Sequence, residues 1–279
     1  MERPVISFLT DFGPDGPAAI CRGVMLGIAR EAQILDLAHG VRKYAIADGA
    51  YLLESALPYL PVGVHVAVVD PGVGTERRPI AIRAARGDVL VGPDNGLLIP
   101  AAEALGGIDE ARRLVNRDLM LPATSSTFHG RDIFAPVAAY LATGTPFATV
   151  GPVVPAADLV RLALPTAVVR DRGLDTAVIY VDSFGNVRFA ATPDELTRAV
   201  GVLEAGRPLV VEFASANGAG STLERTAWQE TFGRVPVGRS LLFRDSLGRI
   251  ALADNQADAA ARLGVEVGRA ARITGEGNP

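Results

Sequence analysis

Val64-His65-Val66-Ala67-Val68-Val69 reads as a buried strand that stops abruptly on an acid, Asp70. Pro71, Gly72, Val73 and Gly74 follow, and then the paired Arg77 and Arg78. An Asp at the tip of an apolar strand, with glycines that let backbone approach a ligand, is the usual anatomy of an α/β active site. The competing reading is that Asp-Pro-Gly is only a turn.

The surrounding pattern favours a layered α/β fold. Val5-Ile6-Ser7-Phe8-Leu9-Thr10 reads as another buried strand, ending at Asp11. A helix is expected over 17–32, with Pro17 suited to its first turn, and a short strand over 34–37. Ile46, Ala50, Leu53 and Leu57 form a helical stripe, which Pro58 helps to end. Strands follow near 79–84 and 88–92, and Ile133, Val137 and Leu141 mark a further helix. Strands alternating with helices in this way form an α/β layer sheet.

Residues 144–172 are rich in Gly and Pro and lack periodicity. They divide the chain into an α/β domain over 1–150, a linker over 151–172 and a second domain over 173–279. The second domain reads as mostly β and barrel-like. Strands are expected at 176–182, 186–190, 208–214, 239–244, 249–253 and 265–273, with short helices at 193–200 and 256–263. Residues 275–279 read as a loose tail.

Composition excludes several classes of function. With 49% hydrophobic and 21% charged residues in 279, a large core is within reach. No apolar stretch reaches the roughly 18 residues of a membrane span, and the first residues do not resemble a signal peptide. A net charge of -4, one Trp and no basic block argue against nucleic acid as a partner. Cys21 is the only cysteine, so no intrachain disulfide can form, which fits a cytoplasmic protein. Three histidines and one cysteine do not make a zinc site, and no metal or other cofactor is expected. His39 and His65 read as satisfied structural histidines.

Three pieces could carry chemistry. Asp11 and Asp70 both end early strands, and strand ends cluster along the ligand-binding edge of a parallel sheet. A carboxylate there can accept two hydrogen bonds from a ribose diol. The loop after Asp11 matches neither the dinucleotide fingerprint nor a Walker loop, so a nucleoside without phosphates is the better ligand. The third piece is Ser126-Thr127-Phe128-His129-Gly130-Arg131-Asp132, which opens a helix and offers a positive local potential. Its alternative is a simple helix cap with His129 in solvent. Asn186, in Asp182-Ser183-Phe184-Gly185-Asn186, could read a purine edge, though Phe-Gly-Asn is also a good turn. Asp254-Asn255-Gln256 reads as an ordinary strand-linking loop.

Taken in order, Asp11-Phe12-Gly13, Asp70-Pro71-Gly72-Val73-Gly74-Thr75-Glu76-Arg77-Arg78, Pro93-Asp94-Asn95-Gly96, Thr127-Phe128-His129-Gly130-Arg131-Asp132 and Phe184-Gly185-Asn186 resemble the S-adenosyl-L-methionine hydroxide adenosyltransferases. These are S-adenosylmethionine hydrolases related to fluorinating and chlorinating enzymes. The resemblance spans about residues 5–273. It implies hydrolysis of S-adenosylmethionine to adenosine and methionine, and a homotrimer whose ligand lies between neighbouring subunits. Asp70, Arg77 and His129 would surround the attacking water, and Asp11 would hold the ribose. Tyr44, Thr127 and Phe128 would border the ligand. Asp182 and Ser246 would hold the amino-acid end, and Phe184, Asn186 and Phe232 would lie on the adenine side. The halogenating relatives carry Tyr in place of Asp70, Ser in place of Gly130, and Arg in place of Leu247. The first two differences favour water over halide. A halogenase and a non-catalytic sensor of S-adenosylmethionine or adenosine are the alternatives.

Overall fold

Six strands of the N-terminal half run in the order β2-β1-β3-β5-β4-β6. They are β1 (Val5–Thr10), β2 (Gln33–Ala38), β3 (Val64–Val68), β4 (Pro79–Ala84), β5 (Val89–Pro93) and β6 (Ile108–Arg113). β1, β2, β3 and β5 are mutually parallel, while β4 runs antiparallel to both its neighbours. The computed structural model describes residues 3–215 and 220–276. The chain forms two compact units, Met1–Ala163 and Leu164–Pro279.

Helices cover both faces of this sheet. They are α1 (Pro17–Ile28), α2 (Ile46–Ala56), α3 (Ile99–Ala104) and α4 (Ala135–Ala142). Ile6, Phe8, Val64, Val66 and Val68 pack with Cys21 and Met25 of α1 and Val137 of α4. Leu9, Ala67, Val69 and Ile80 pack with Leu53 of α2 and Ala101 of α3 on the other face. Double coverage explains why the central strands are apolar almost throughout.

The chain steps from β1 to one side for β2 and to the other for β3, so strand order reverses between β1 and β3. Such a reversal opens a crevice beyond the carboxyl ends of the strands. Thr10 and Val68 are register partners there, which puts Asp11 and Asp70 at adjacent strand tips.

The C-terminal unit is an antiparallel sheet in the order β11-β10-β14-β8-β9-β13-β12, with β7 (Val168–Arg170) on β8. Its strands are β8 (Gly173–Val181), β9 (Val187–Phe189), β10 (Pro208–Ala214), β11 (Ser221–Ala227), β12 (Ser240–Arg244), β13 (Ile250–Asp254) and β14 (Ala270–Gly275). A bridge from Trp228 to Leu242 joins the two ends, so the sheet is nearly a closed barrel. Two short helices, α5 (Pro193–Val200) and α6 (Ala259–Leu263), accompany it.

Several boundaries differ from the sequence reading. α1 stops at Ile28, because Ala29 leaves helical geometry (φ -107, ψ 71) and Gln33 must begin pairing with the Pro4 carbonyl. α6 begins only at Ala259, since the Asp258 side chain caps it by accepting from the Ala261 N–H. β14 starts at Ala270, after a turn in which the Arg269 N–H reaches the Glu266 carbonyl. Gly275 is not tail but the last residue of β14, while 277–279 lie outside the described residues. β6, β7, β11 and α3 were not anticipated. β11, Ser-Thr-Leu-Glu-Arg-Thr-Ala, carries too few apolar residues to signal a strand. α5 matches the expected span, fixed by a capping box between Thr192 and Glu195.

Candidate active site

Asp70 stands just beyond β3, and its carboxylate is gripped by the fork of Arg77. Arg77 Nε donates to Asp70 Oδ1 at 3.0 Å, and Nη2 donates to Oδ2. Only 6% of the Arg77 side chain and 5% of the Asp70 side chain are exposed. Burial pushes the Asp70 carboxyl above its ordinary range, and Arg77 only partly offsets that.

Arg77 Nη2 also donates to His129 Nδ1 at 3.1 Å. Arginine has no acceptor, so Nδ1 must be the acceptor, and the neutral imidazole carries its proton on Nε2. Burial, aided by the Arg77 charge, lowers the His129 pKa and keeps the ring neutral. Asp70, Arg77 and His129 thus form one continuous chain of contacts, with Arg77 at its centre over the Phe134 ring.

Two loops must meet to build this chain. Gly74 lies at φ +78, and a Cβ there would stand 2.4 Å from the Ser126 carbonyl oxygen. Gly74→Ala should cost about 1–2 kcal/mol from the left-handed backbone alone, and the clash adds to it. An unchanged denaturation midpoint would show that the loops are not so docked. The rim is braced from β5: Asn95 Nδ2 donates to the Val69 carbonyl at 2.9 Å, and Arg78 Nε donates to Asp94 at 2.8 Å.

His129 precedes a π-helical turn, Gly130–Phe134, which leads into α4. Such turns recur at functional sites. Asp132, fully buried, accepts from the Ser125 N–H at 2.7 Å and pairs with Arg131. Thr127 is exposed, and Phe128 meets Phe12 edge-on at 5.7 Å. Asp11 Oδ2 accepts the Tyr44 N–H at 2.9 Å, while Oδ1 has no hydrogen bond among the described residues. Tyr44 is 70% exposed and holds a positive φ of 67, an uncommon conformation for a bulky residue.

The C-terminal unit has its own cleft of about 750 Å³, lined by Asp182, Phe184, Asn186, Phe232, Asp254, Asn255, Gln256 and Ala257. Four of the five residues assigned to this unit therefore converge. Ser246 is not among the lining residues and sits exposed in the turn after β12. The 254–257 loop was missed as a site element, because Gln256 adopts φ 55, which its sequence does not announce.

Asp182 is heavily committed. Its Oδ1 accepts the N–H groups of Phe184 and Asn186 at 3.0 Å, and its Oδ2 accepts Asn186 Nδ2 at 2.9 Å. Asp245 caps the Ser246 turn in the same way, accepting the N–H groups of Leu247 and Arg249 at 2.9 Å. Arg188 joins the turns, lying 2.8 Å from Asp245 and 3.3 Å from Asp182.

A second buried arrangement, Ser7-His65-Asp88, has hydrolase-like order. Ser7 Oγ lies 2.8 Å from His65 Nδ1, and His65 Nε2 lies 2.9 Å from Asp88. All three are fully buried within the sheet, and Arg86 neutralises Asp88, so no substrate can reach them. His39, held by Thr10 and Asp36, is likewise structural.

Residues 6–151 match the family model of the SAM hydroxide adenosyltransferase N-terminal domain, and 176–272 match that of the C-terminal domain. The chain is 46% identical to an (R)-S-adenosyl-L-methionine hydrolase of Salinispora arenicola, with 98% of each covered. It is 36% identical to the hydrolase of the same name from Thermus thermophilus, over 97% of this chain and 99% of that one. A fluorinase of Actinopolyspora mzabensis is more distant, at 27% identity over 98% of each. Among solved structures, a conserved protein of Thermotoga maritima superposes with a TM-score of 0.88 at 33% identity, covering 96% of this chain and 99% of that one. With both halves matched and near full-length relatives well above 30% identity, the chain belongs to the SAM hydroxide adenosyltransferase family.

Proposed function

We propose that this protein hydrolyses S-adenosyl-L-methionine to adenosine and L-methionine by in-line attack of water at C5′. The observation that carries the reading is the Asp70-Arg77-His129 chain at the tip of β3, its Asp70-Arg77 pair buried, in a protein matched along both halves by this family.

The water O–C5′ bond forms as the C5′–S bond breaks, and the sulfonium electron pair leaves with methionine as a neutral thioether. No acid is needed for the leaving group, so the task is to orient water and take its proton. His129 carries its proton on Nε2 and serves as a hydrogen-bond donor to the water oxygen. Asp70 takes the proton, since burial has made it a stronger base than an ordinary carboxylate. Arg77 holds both groups in place. Asp11 Oδ1 is free to accept from a ribose hydroxyl. Asn186 keeps its Oδ1 and one Nδ2 hydrogen for an adenine edge, and Phe184 and Phe232 line the same cleft. Asp182 offers the methionine ammonium its charge rather than a spare lone pair. Tyr44, Thr127, Phe128 and Ser246 complete the border. The reaction is metal-independent, so treatment with a chelator should leave the rate unchanged. The assembly is a homotrimer with sites at subunit interfaces, testable by sedimentation, and the protein works in the cytoplasm.

The decisive experiment is incubation of purified protein with S-adenosylmethionine, with and without chloride. Adenosine and methionine in equal amounts are expected. A halogenated nucleoside would identify a halogenase, and binding without turnover would identify a sensor.

The pH profile follows from the shifts. Asp70 must be ionised to act, and its pKa is raised from 3.8, so kcat should fall on acidification sooner than for an ordinary carboxylate. Burial and the Arg77 charge lower the His129 pKa below its usual value. The acid limb should vanish in Asp70→Asn. A limb that persists there unchanged would assign it to another group.

A further inference from the structure

The turn that presents Asp11 is tied down by a residue that takes no part in the chemistry. The Gly13 N–H donates to the His39 carbonyl at 2.7 Å, and the Phe12 N–H donates to Thr10 Oγ1 at 3.3 Å. Thr10 Oγ1 in turn lies 2.9 Å from His39 Nδ1. His39 thus reaches both residues that follow Asp11, one through its own backbone and one through Thr10. Thr10 is fully buried, so bulk water does not compete for its hydroxyl.

The imidazole is itself held from behind. Its Nε2 lies 3.0 Å from Asp36 Oδ1, and the other Asp36 oxygen pairs with Arg22 of α1. An ionised carboxylate only accepts, so Nε2 carries a proton. In the neutral ring Nδ1 is then an acceptor, the Thr10 hydroxyl donates to it, and the hydroxyl's lone pairs are left for the Phe12 N–H. Residues three apart on a regular strand point to opposite faces. The pairing of β1 with β2 is irregular here: Phe8 faces Asp36 but Leu9 faces Ala38, so Leu37 is an extra residue. Bulges re-aim side chains, and past this one Asp36 and His39 meet.

The consequence falls on Asp11. Its Oδ2 accepts the Tyr44 N–H, while its own N–H makes only a long bond of 3.4 Å to the Val68 carbonyl. The place of its carboxylate therefore depends on the turn that follows. A group fixed before its ligand arrives loses less freedom on binding.

We propose that His39 is a positioning residue for the ribose: through Thr10 and the Gly13 N–H it fixes the turn that aims the Asp11 carboxylate. This rests on the reading of Asp11 as the group that holds the ribose hydroxyls.

The test compares His39→Gln with His39→Asn in the full-length protein. A glutamine amide reaches the place of Nε2 and keeps Asp36 but not Thr10. An asparagine oxygen stands near Nδ1 and keeps Thr10. His39→Gln should weaken adenosine binding by roughly 2–10-fold, the worth of one net hydrogen bond, and leave 2′,3′-dideoxyadenosine binding unchanged. KM for S-adenosylmethionine should rise with it while kcat moves little, and His39→Asn should restore most of the loss. Thr10→Val should copy His39→Gln, and the two together should weaken binding little further. Equal weakening of both nucleosides, or additive effects of the two substitutions, would overturn the role. In ligand-free protein the amides of Phe12 and Gly13 should exchange faster in His39→Gln, and unchanged exchange would overturn it too. A wild type that binds both nucleosides alike would reject the inference together with the Asp11 assignment. One that prefers adenosine, yet leaves S-adenosylmethionine intact, would reject the proposed function alone.

Discussion

Asp70→Asn should lower kcat for adenosine formation by about 10²–10⁴-fold, the usual contribution of a positioned base, with little change in KM. Asparagine keeps the shape and one acceptor for Arg77, but it cannot take a proton from water. The effect should fall on kcat because Asp70 is committed to Arg77 and is not among the residues assigned to hold ribose or adenine. Asp70→Ala is a poorer probe. It leaves the buried Arg77 charge without its partner, and breaking such a pair costs about 3–5 kcal/mol. Single-turnover measurement of adenosine release separates chemistry from product release. A rate within about tenfold of wild type would remove Asp70 from the role of base.

Asp88→Ala should be among the most destabilising single changes in the N-terminal unit. The carboxylate is fully buried and accepts from His65 Nε2 at 2.9 Å and from Arg86 Nε at 2.7 Å. Arg86 in turn donates to the Leu57 and Pro58 carbonyls beyond α2. Removing the acid leaves the fully buried His65 Nε2, the Gly63 N–H and the partly exposed Arg86 guanidinium without this acceptor, for an expected loss of about 3–5 kcal/mol. That corresponds to roughly 6–20 °C in Tm for a unit of this size. A loss below about 1 kcal/mol would place the network with exposed ion pairs. Burial works to raise the Asp88 pKa, but the hydrogen bonds from His65 and Arg86 win, and it is lowered overall. A depressed carboxylate stabilises the fold above its unfolded pKa and ceases to do so as pH falls through the folded value. In Asp88→Asn the decline of stability with acid should therefore be shallower.

The alternation of buried strands with helical stripes made the first sheet legible, because both faces of β1 and β3 must be covered. Asp11 and Asp70 could be placed at strand tips from the same pattern. The order of strands could not. It decides that Thr10 and Val68 are neighbours, and so that the two acids stand side by side. The Arg77 link between Asp70 and His129 joins residues far apart in sequence, and it depends on a glycine contact between two loops that no periodicity encodes. In the second unit, Phe184 and Phe232 were recognisable only through the family resemblance, and Asn186, though its amide could read a purine edge, suits a plain turn equally well. Gln256 was invisible because its left-handed backbone occurs without glycine or asparagine. β11 was lost because an edge strand with polar faces carries no apolar alternation.

The seam of the barrel gives the molecule a built-in optical probe. Trp228 is the only tryptophan in the chain, 9% exposed, and bridged to Leu242 where the sheet nearly closes. Tryptophan emission therefore reports the opening of the C-terminal unit alone, whereas far-ultraviolet dichroism sums both units. Comparing the two signals during denaturation resolves whether the halves melt together or in turn.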